Sequence, residues 1–169
     1  MCEQTGIAIG KPMHNQTQSC SATSIRIAGA DDVTAVVACV NRAYSPWIDI
    51  IGATPGPMLD DYGKYVVAGW VHIATIDSTL AGVIVLIPQQ DHLLLDNVAV
   101  EPLWQSRGLG SQLLDFAESH AREQNFRQIQ LYTNAKMAAN IALYERRGYV
   151  VTNTRLDKGY HRVFMQKSL

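Results

Sequence analysis

The sequence predicts an α/β (α+β) fold, a mixed sheet with helices on both faces. Three observations carry that prediction. Strand-like and helical stretches follow one another in the order β-α-α-β-β-β-α-β-α-β-β, about six to seven strands and about four helices. Two of the strand-like runs are separated only by Asp77-Ser78, the mark of a hairpin. The nearly all-apolar run Leu93–Val100 passes through a short polar loop directly into a long helical pattern. Hairpins mixed with helical crossovers do not fit the regular strand–helix alternation of a doubly wound dinucleotide fold.

Each element has its own signal. Ile25, Arg26 and Ile27 alternate as a short first strand, and Asp31 or Asp32 is placed to cap a helix running to about Ala43. Residues 44–57 contain Pro46, Gly52, Pro55, Gly56 and Pro57 and read as a loop. Residues 58–67 resume a helical pattern, with Pro57 suited to a first turn. Val71–Ile76 and residues 79–87 form the hairpin, and Pro88 stops its second strand. Leu93–Val100 has the composition of a central strand covered on both faces. Residues 111–124 place Leu113, Leu114, Phe116, Ala117, His120 and Ala121 at helical spacing. Residues 129–133 form another strand. Residues 138–147 form a short helix with Arg146 and Arg147 in its last turn and Gly148 just beyond, a stop signal. Residues 149–155 and 162–166 close the chain as two strands.

The 169 residues suffice for a sizeable core and favour one domain, residues 23–169, behind a flexible tail, residues 1–22, rich in Gln, Thr, Ser and Asn. A formal net charge of −1 argues against a general electrostatic grip on nucleic acid or an anionic membrane. The tail lacks the features of a signal peptide. Every apolar run falls short of the roughly 20 residues that span a bilayer as a helix. Cys2, Cys20 and Cys39 form no ligand-spaced cluster, and their odd number argues against a disulfide framework, so a reducing, cytoplasmic compartment is expected. The five histidines show no metal-ligand spacing, and no metal is expected.

The chemistry-bearing stretch is the turn Gln105-Ser106-Arg107-Gly108-Leu109-Gly110 between the apolar strand and the helix. Such a turn collects backbone N–H groups that a first helical turn leaves unsatisfied, beside the positive end of the helix dipole, and so suits a phosphorylated ligand. It is not a Walker loop, because the Lys-Ser/Thr ending is missing, and it lacks the third glycine of the dinucleotide fingerprint.

Strand Val98-Ala99-Val100-Glu101-Pro102, then the glycine turn, then Ser111-Gln112-Leu113-Leu114 resembles the most diagnostic segment of the GNAT superfamily of N-acetyltransferases. A second element of that family, Asn-x-x-Ala-x-x-Leu-Tyr-Glu-x-x-Gly-Phe/Tyr, is matched by residues 140–149, although its alanine, at Ala142 or Ala139, is spaced differently. The similarity spans roughly residues 24–168, with the strong motifs at 93–149. It implies a GNAT-like, mostly antiparallel twisted sheet and acetyl-CoA as the acetyl donor. The diphosphate would rest on backbone N–H groups of residues 106–111, that is Ser106, Arg107, Gly108, Leu109, Gly110 and Ser111. Gln105 belongs to the same turn. The pantetheine arm would pair like an extra strand along Val98, Ala99 and Val100, where the Val98 amide polarises the thioester carbonyl.

Asn140 and Tyr144 are four residues apart and share a helix face. By the resemblance, Tyr144 is the general acid for the departing thiolate, which its phenol, with a reference pKa near 10, suits, and Asn140 holds the cofactor or a bridging water. Asp96, two residues before Val98, is either the general base or a hydrogen-bond anchor between loops. Deprotonation through water would need no base residue. Tyr44, Trp47, Asp61 and Tyr62 offer an aromatic and acidic wall to a cationic amine. The resulting expectation is acetyl transfer to a primary amine, of a small molecule or a peptide, by direct attack in a ternary complex. The alternative is a catalytically silent acyl-CoA-binding module on the same fold. Nucleic acid and membrane are not expected partners, and a homodimer is compatible with the resemblance.

Overall fold

A computed structural model describes residues 23–169; the tail expected over residues 1–22 lies outside the described residues. Among the described residues seven strands build one sheet: β1 (Thr23–Ile27), β2 (Val71–Ile76), β3 (Thr79–Pro88), β4 (Leu93–Val100), β5 (Gln128–Asn134), β6 (Val150–Asp157) and β7 (Tyr160–Ser168). Their order is β1-β2-β3-β4-β5-β7-β6. Of these neighbours β4 and β5 run parallel, and the other pairs are antiparallel. The same residues form five helices: α1 (Val33–Tyr44), α2 (Trp47–Ile51), α3 (Tyr62–Val67), α4 (Leu109–Glu123) and α5 (Ala138–Arg146).

The local reasons are legible. Asp77 and Ser78 both adopt positive φ, 49° and 64°, as a two-residue turn must if it is to follow the twist of its strands. Gly148 (φ 87°) ends α5 in the left-handed region, where a Cβ is strained. Leu113 and Leu114 of α4 pack with Ile84, Leu86, Leu93, Ile129 and Leu131 on one face of the sheet. Val36, Val40 and Tyr62 of α1 and α3 pack with Ile73, Val83 and Val85 on the other. Burial of each such aliphatic side chain contributes roughly 1.5–3 kcal/mol relative to exposure.

Four expectations change. The stretch 44–57 is not all loop: Trp47–Ile51 folds as α2 and ends at Gly52 (φ 80°). Helix α3 begins at Tyr62, because the Asp61 carboxylate accepts from the Lys64 amide and starts the helix there, while Pro57 lies in a separate 3₁₀ turn, Gly56–Met58. Asp32 occupies the N-cap position of α1 without capping it, since its carboxylate accepts instead from the Gly29 amide and Arg26. Strand β4 is not fully covered: Leu93, Leu95, Asn97 and Ala99 are buried, while the residues between them are only partly so.

That partial cover follows from the way the sheet splits. Strand β5 pairs with β4 only where Leu93–Leu95 meet Ile129–Leu131, and beyond Leu95 the two strands part. At the same point β4 carries a bulge: Leu86 pairs with Leu95 and Val85 with Asn97, leaving Asp96 as the extra residue. The bulge exchanges the faces of the strand. Leu93 and Leu95 belong to the α4 side, whereas Asn97 bonds Tyr44 and Tyr62 and Ala99 packs on the α1 side. Val98 and Val100 now face α4 and α5.

Candidate active site

The wedge between β4 and β5 exposes backbone. The Glu101 amide donates to the Ala81 carbonyl of β3 at 2.9 Å, so the odd-numbered residues after the bulge turn their polar groups toward β3. Val98 and Val100 are one step out of phase and turn theirs into the wedge. Their carbonyls there accept side-chain bonds, Val98 from the Tyr44 hydroxyl at 3.3 Å and Val100 from Gln105 Nε2 at 3.0 Å. The N–H groups of Val98 and Val100 point the same way, as an extended ligand with amides requires.

At the mouth of the wedge, Ser106 (φ 59°) and Gly108 (φ 84°) bend the chain into α4 through two left-handed residues. Gln112 is the first residue of α4 to bond back, to the Gly108 carbonyl, so the amides of Leu109, Gly110 and Ser111 have no intrahelical partner. Free amides, a helix dipole and a nest of left-handed residues make an anion cradle. Ser106 and Gly110 line the cleft that runs from this cradle along Val98–Val100 to Trp47, Asn140 and Tyr144.

A second cleft adjoins the first. Leu95, Asp96, Val98 and Tyr132 form its floor, residues 55–57 one wall, and Asn134, Tyr160 and Arg162 the other. The two clefts share Tyr44, Val98, Met137, Asn140 and Tyr144. Tyr144 is buried, its phenol pushed up to about 12 by burial, and its hydroxyl has no hydrogen-bond partner among the described residues. It therefore stays protonated at neutral pH, at the junction. Asp96 accepts from the Tyr132 hydroxyl at 2.5 Å, and the Arg162 guanidinium lies 4.2 Å from the Tyr132 ring centre while bonding Asp157 at 2.6 Å. Near Asp96, Asp60 is raised to about 6 by burial and by the Asp96 charge.

A model of the acetyltransferase (GNAT) family matches residues 42–149, well over half of the chain. The chain belongs to the GNAT acetyltransferase family. Over 85 residues it is 38% identical to Probable N-acetyltransferase 14 of Xenopus tropicalis, a stretch covering 49% of this chain and 41% of that protein. Over 120 residues, 71% of this chain and 34% of the relative, it is 28% identical to mycothiol acetyltransferase of Propionibacterium freudenreichii. The matched stretches thus span less than half the length of either relative. In fold the chain is similar to the PaiA N-acetyltransferase of Thermoplasma acidophilum, solved in complex with coenzyme A. That likeness has a TM-score of 0.76 at 18% identity and covers 88% of this chain and 99% of that one. The GNAT sheet expected from the motifs is the sheet observed.

Of the residues singled out in this GNAT chain, Val98, Ala99, Val100, Gln105, Ser106, Gly110, Asn140 and Tyr144 line the first cleft. The Leu109 side chain is core, so Leu109 offers the cradle only backbone, and the exposed Arg107 lies over the Trp104 ring, 5.2 Å from its centre. Asp96 lines the second cleft. Of the four wall residues, Tyr44 lines both clefts and Trp47 only the first. Asp61 and Tyr62 line neither. Asp61 is an exposed helix cap paired with Lys64, and buried Tyr62 donates to the Pro57 carbonyl and accepts from Asn97. Tyr132, Met137, Tyr160 and Arg162 were not legible as site residues. Pairing of β5 with β7, with Asn134 opposite Arg162, brings Tyr132, Tyr160 and Arg162 together, while Met137 comes from the N-cap of α5, and nothing local in the sequence announces it. Among the described residues no group of three or more His, Cys, Asp or Glu is arranged to hold a metal, and no helix is long and apolar enough to cross a membrane.

Proposed function

We propose that the protein is an acetyl-CoA-dependent N-acetyltransferase that moves an acetyl group to a primary amine by direct attack in a ternary complex. The observation that carries this reading is the meeting of two clefts at Val98, Asn140 and Tyr144. One cleft has the free amides for a diphosphate and an amide-bearing arm; the other has room and polar groups for an acceptor. Acetyl-CoA, bound in the first, supplies the activated thioester.

The residues then divide the work. Amides of Leu109, Gly110 and Ser111 hold phosphate oxygens, with Ser106 and Gln105 shaping the turn. The Val98 and Val100 amides align the donor arm, and the Val98 N–H stabilises negative charge on the carbonyl oxygen as the amine nitrogen attacks carbon. As the carbon–sulfur bond breaks, Tyr144 presents its proton to the departing sulfur. Asp96, held by the Tyr132 hydroxyl that donates to it, takes the proton of the attacking amine, directly or through water, since the amine must be neutral to attack. Buried Cys39 sits on α1 beside Glu101 with its thiol pushed up by burial, so a covalent acetyl-cysteine forms no part of this mechanism. A reducing cytoplasmic compartment suits such an enzyme.

Thiol release from acetyl-CoA, measured across a panel of amines and peptides, tests the reading. Acceptor-dependent release supports it. Tight coenzyme A binding by calorimetry, with no release for any acceptor, would show a silent acyl-CoA-binding module instead.

A further inference from the structure

The acceptor cleft is strapped shut along one side. The segment following α2 forms one wall through Pro55, Gly56 and Pro57, and two donors from distant parts of the chain hold it down. Tyr160, at the turn into β7, donates from its hydroxyl to the Thr54 carbonyl at 2.5 Å, across 106 residues of sequence. Lys136, in the loop between β5 and α5, donates from Nζ to the Ile51 carbonyl at 3.1 Å, across 85 residues. Gly56 stands opposite Arg162: a Cβ added there would lie 3.6 Å from Arg162 Nη2. Both acceptors are backbone carbonyls, and Pro55 and Pro57 each fix a φ angle between them and the cleft floor, which stiffens the strap.

Running between segments that line opposite parts of the cleft, these bridges close part of its rim. A chain continuing from an N-terminal amine, or a lysine on a folded surface, needs an open groove past the reacting nitrogen. A small free amine does not. Resting on the acetyltransfer reading above, we propose that the strap makes the acceptor a small free amine that enters end-on, and that Tyr160 and Lys136 enforce this choice. The polar groups inside fit such a guest: Asp96 meets the amine end, and Arg162 meets an anionic or polar end.

The test compares acceptors by kcat/KM with acetyl-CoA: free amino acids against a hexapeptide with a free N-terminus and a small folded protein rich in surface lysines. Wild-type enzyme is expected to favour the free amines. In the double variant Tyr160→Phe, Lys136→Met the ratio of hexapeptide to free-amine efficiency should rise by about tenfold, because two hydrogen bonds that hold the strap are gone. Amide hydrogen exchange over residues 51–57 should quicken in step. The single variant Lys136→Met, whose side chain is outside the cleft lining, guards against a fold defect: it should move the ratio the same way by less, with free-amine turnover retained. Equal use of the hexapeptide by wild type, or a ratio that stays put when exchange quickens, would overturn the proposal while leaving acetyltransfer intact. Absence of thiol release with every acceptor would overturn the underlying reading and this proposal together.

Discussion

Tyr144 shows what one residue's surroundings do to its chemistry. On α5 the spacing from Asn140 was readable from sequence, but burial beside Tyr149, with ring centres 5.8 Å apart, sets the phenol at about 12. Tyr144→Phe should lower kcat by about 10²-fold, the ordinary worth of a positioned acid, with coenzyme A affinity by calorimetry nearly unchanged. Because the phenol keeps its proton, kcat of the wild type should hold to about pH 10 instead of falling as an unburied phenol ionises. Asp60 makes the opposite case, a residue passed over in the sequence. Its carboxyl is raised to about 6, above the value it has in the unfolded chain. Below about pH 4 both states carry the proton and Asp60 costs nothing; stability is lost as pH rises from about 4 to 6, and the loss persists above. Asp60→Asn should therefore raise the melting temperature at about pH 8 and leave it unchanged at about pH 3.5. Discounted for solvent contact, the gain is on the order of 1–2 kcal/mol.

At the scale of elements, the glycines separate two kinds of constraint. Gly108 holds φ 84°, and a Cβ there would find nothing within 4 Å, so Gly108→Ala meets only backbone strain, about 1 kcal/mol, and should fall mainly on the KM for acetyl-CoA. Gly82 has ordinary geometry, but a Cβ there would stand 3.1 Å from Leu113 Cδ1 and 3.2 Å from the Ala99 carbonyl. Gly82→Ala should push α4 off β3 and cost about 1–3 kcal/mol in urea unfolding. Strands and long helices were legible because apolar period and turn chemistry agree, as in the Asp77-Ser78 hairpin and α4. Helix α2 was not, since five residues between Pro46 and Gly52 carry too little pattern to outweigh the breakers around them. The bulge at Asp96 was equally silent: a run of apolar residues on both sides of it reads the same in either register.

Across the whole molecule, one buried carboxylate ties the second half of the chain together. Glu118 of α4 bonds Lys167 of β7 at 2.8 Å, and Arg147 after α5 lies 3.6 Å from it and also pairs with Asp115. Lys167→Met should leave that carboxylate short of a partner and lower the urea midpoint, at constant slope, by the equivalent of about 1–3 kcal/mol. The pairing of β5 with β7 that this network supports also builds a wall of the second cleft.

By itself the sequence determined the order of the strands and of every helix but α2, the hairpin, the glycine turn, and the Asn140–Tyr144 face of α5, because each rests on residues within a few positions of one another. Tertiary structure alone decided that β4 and β5 part after Leu95, that Asp96 bulges, that Asp61 and Tyr62 lie away from the clefts, and that Tyr160 and Arg162 come to them. Those outcomes depend on which strands pair and where pairing stops, and contacts between residues so far apart in sequence leave no periodicity in the chain to read.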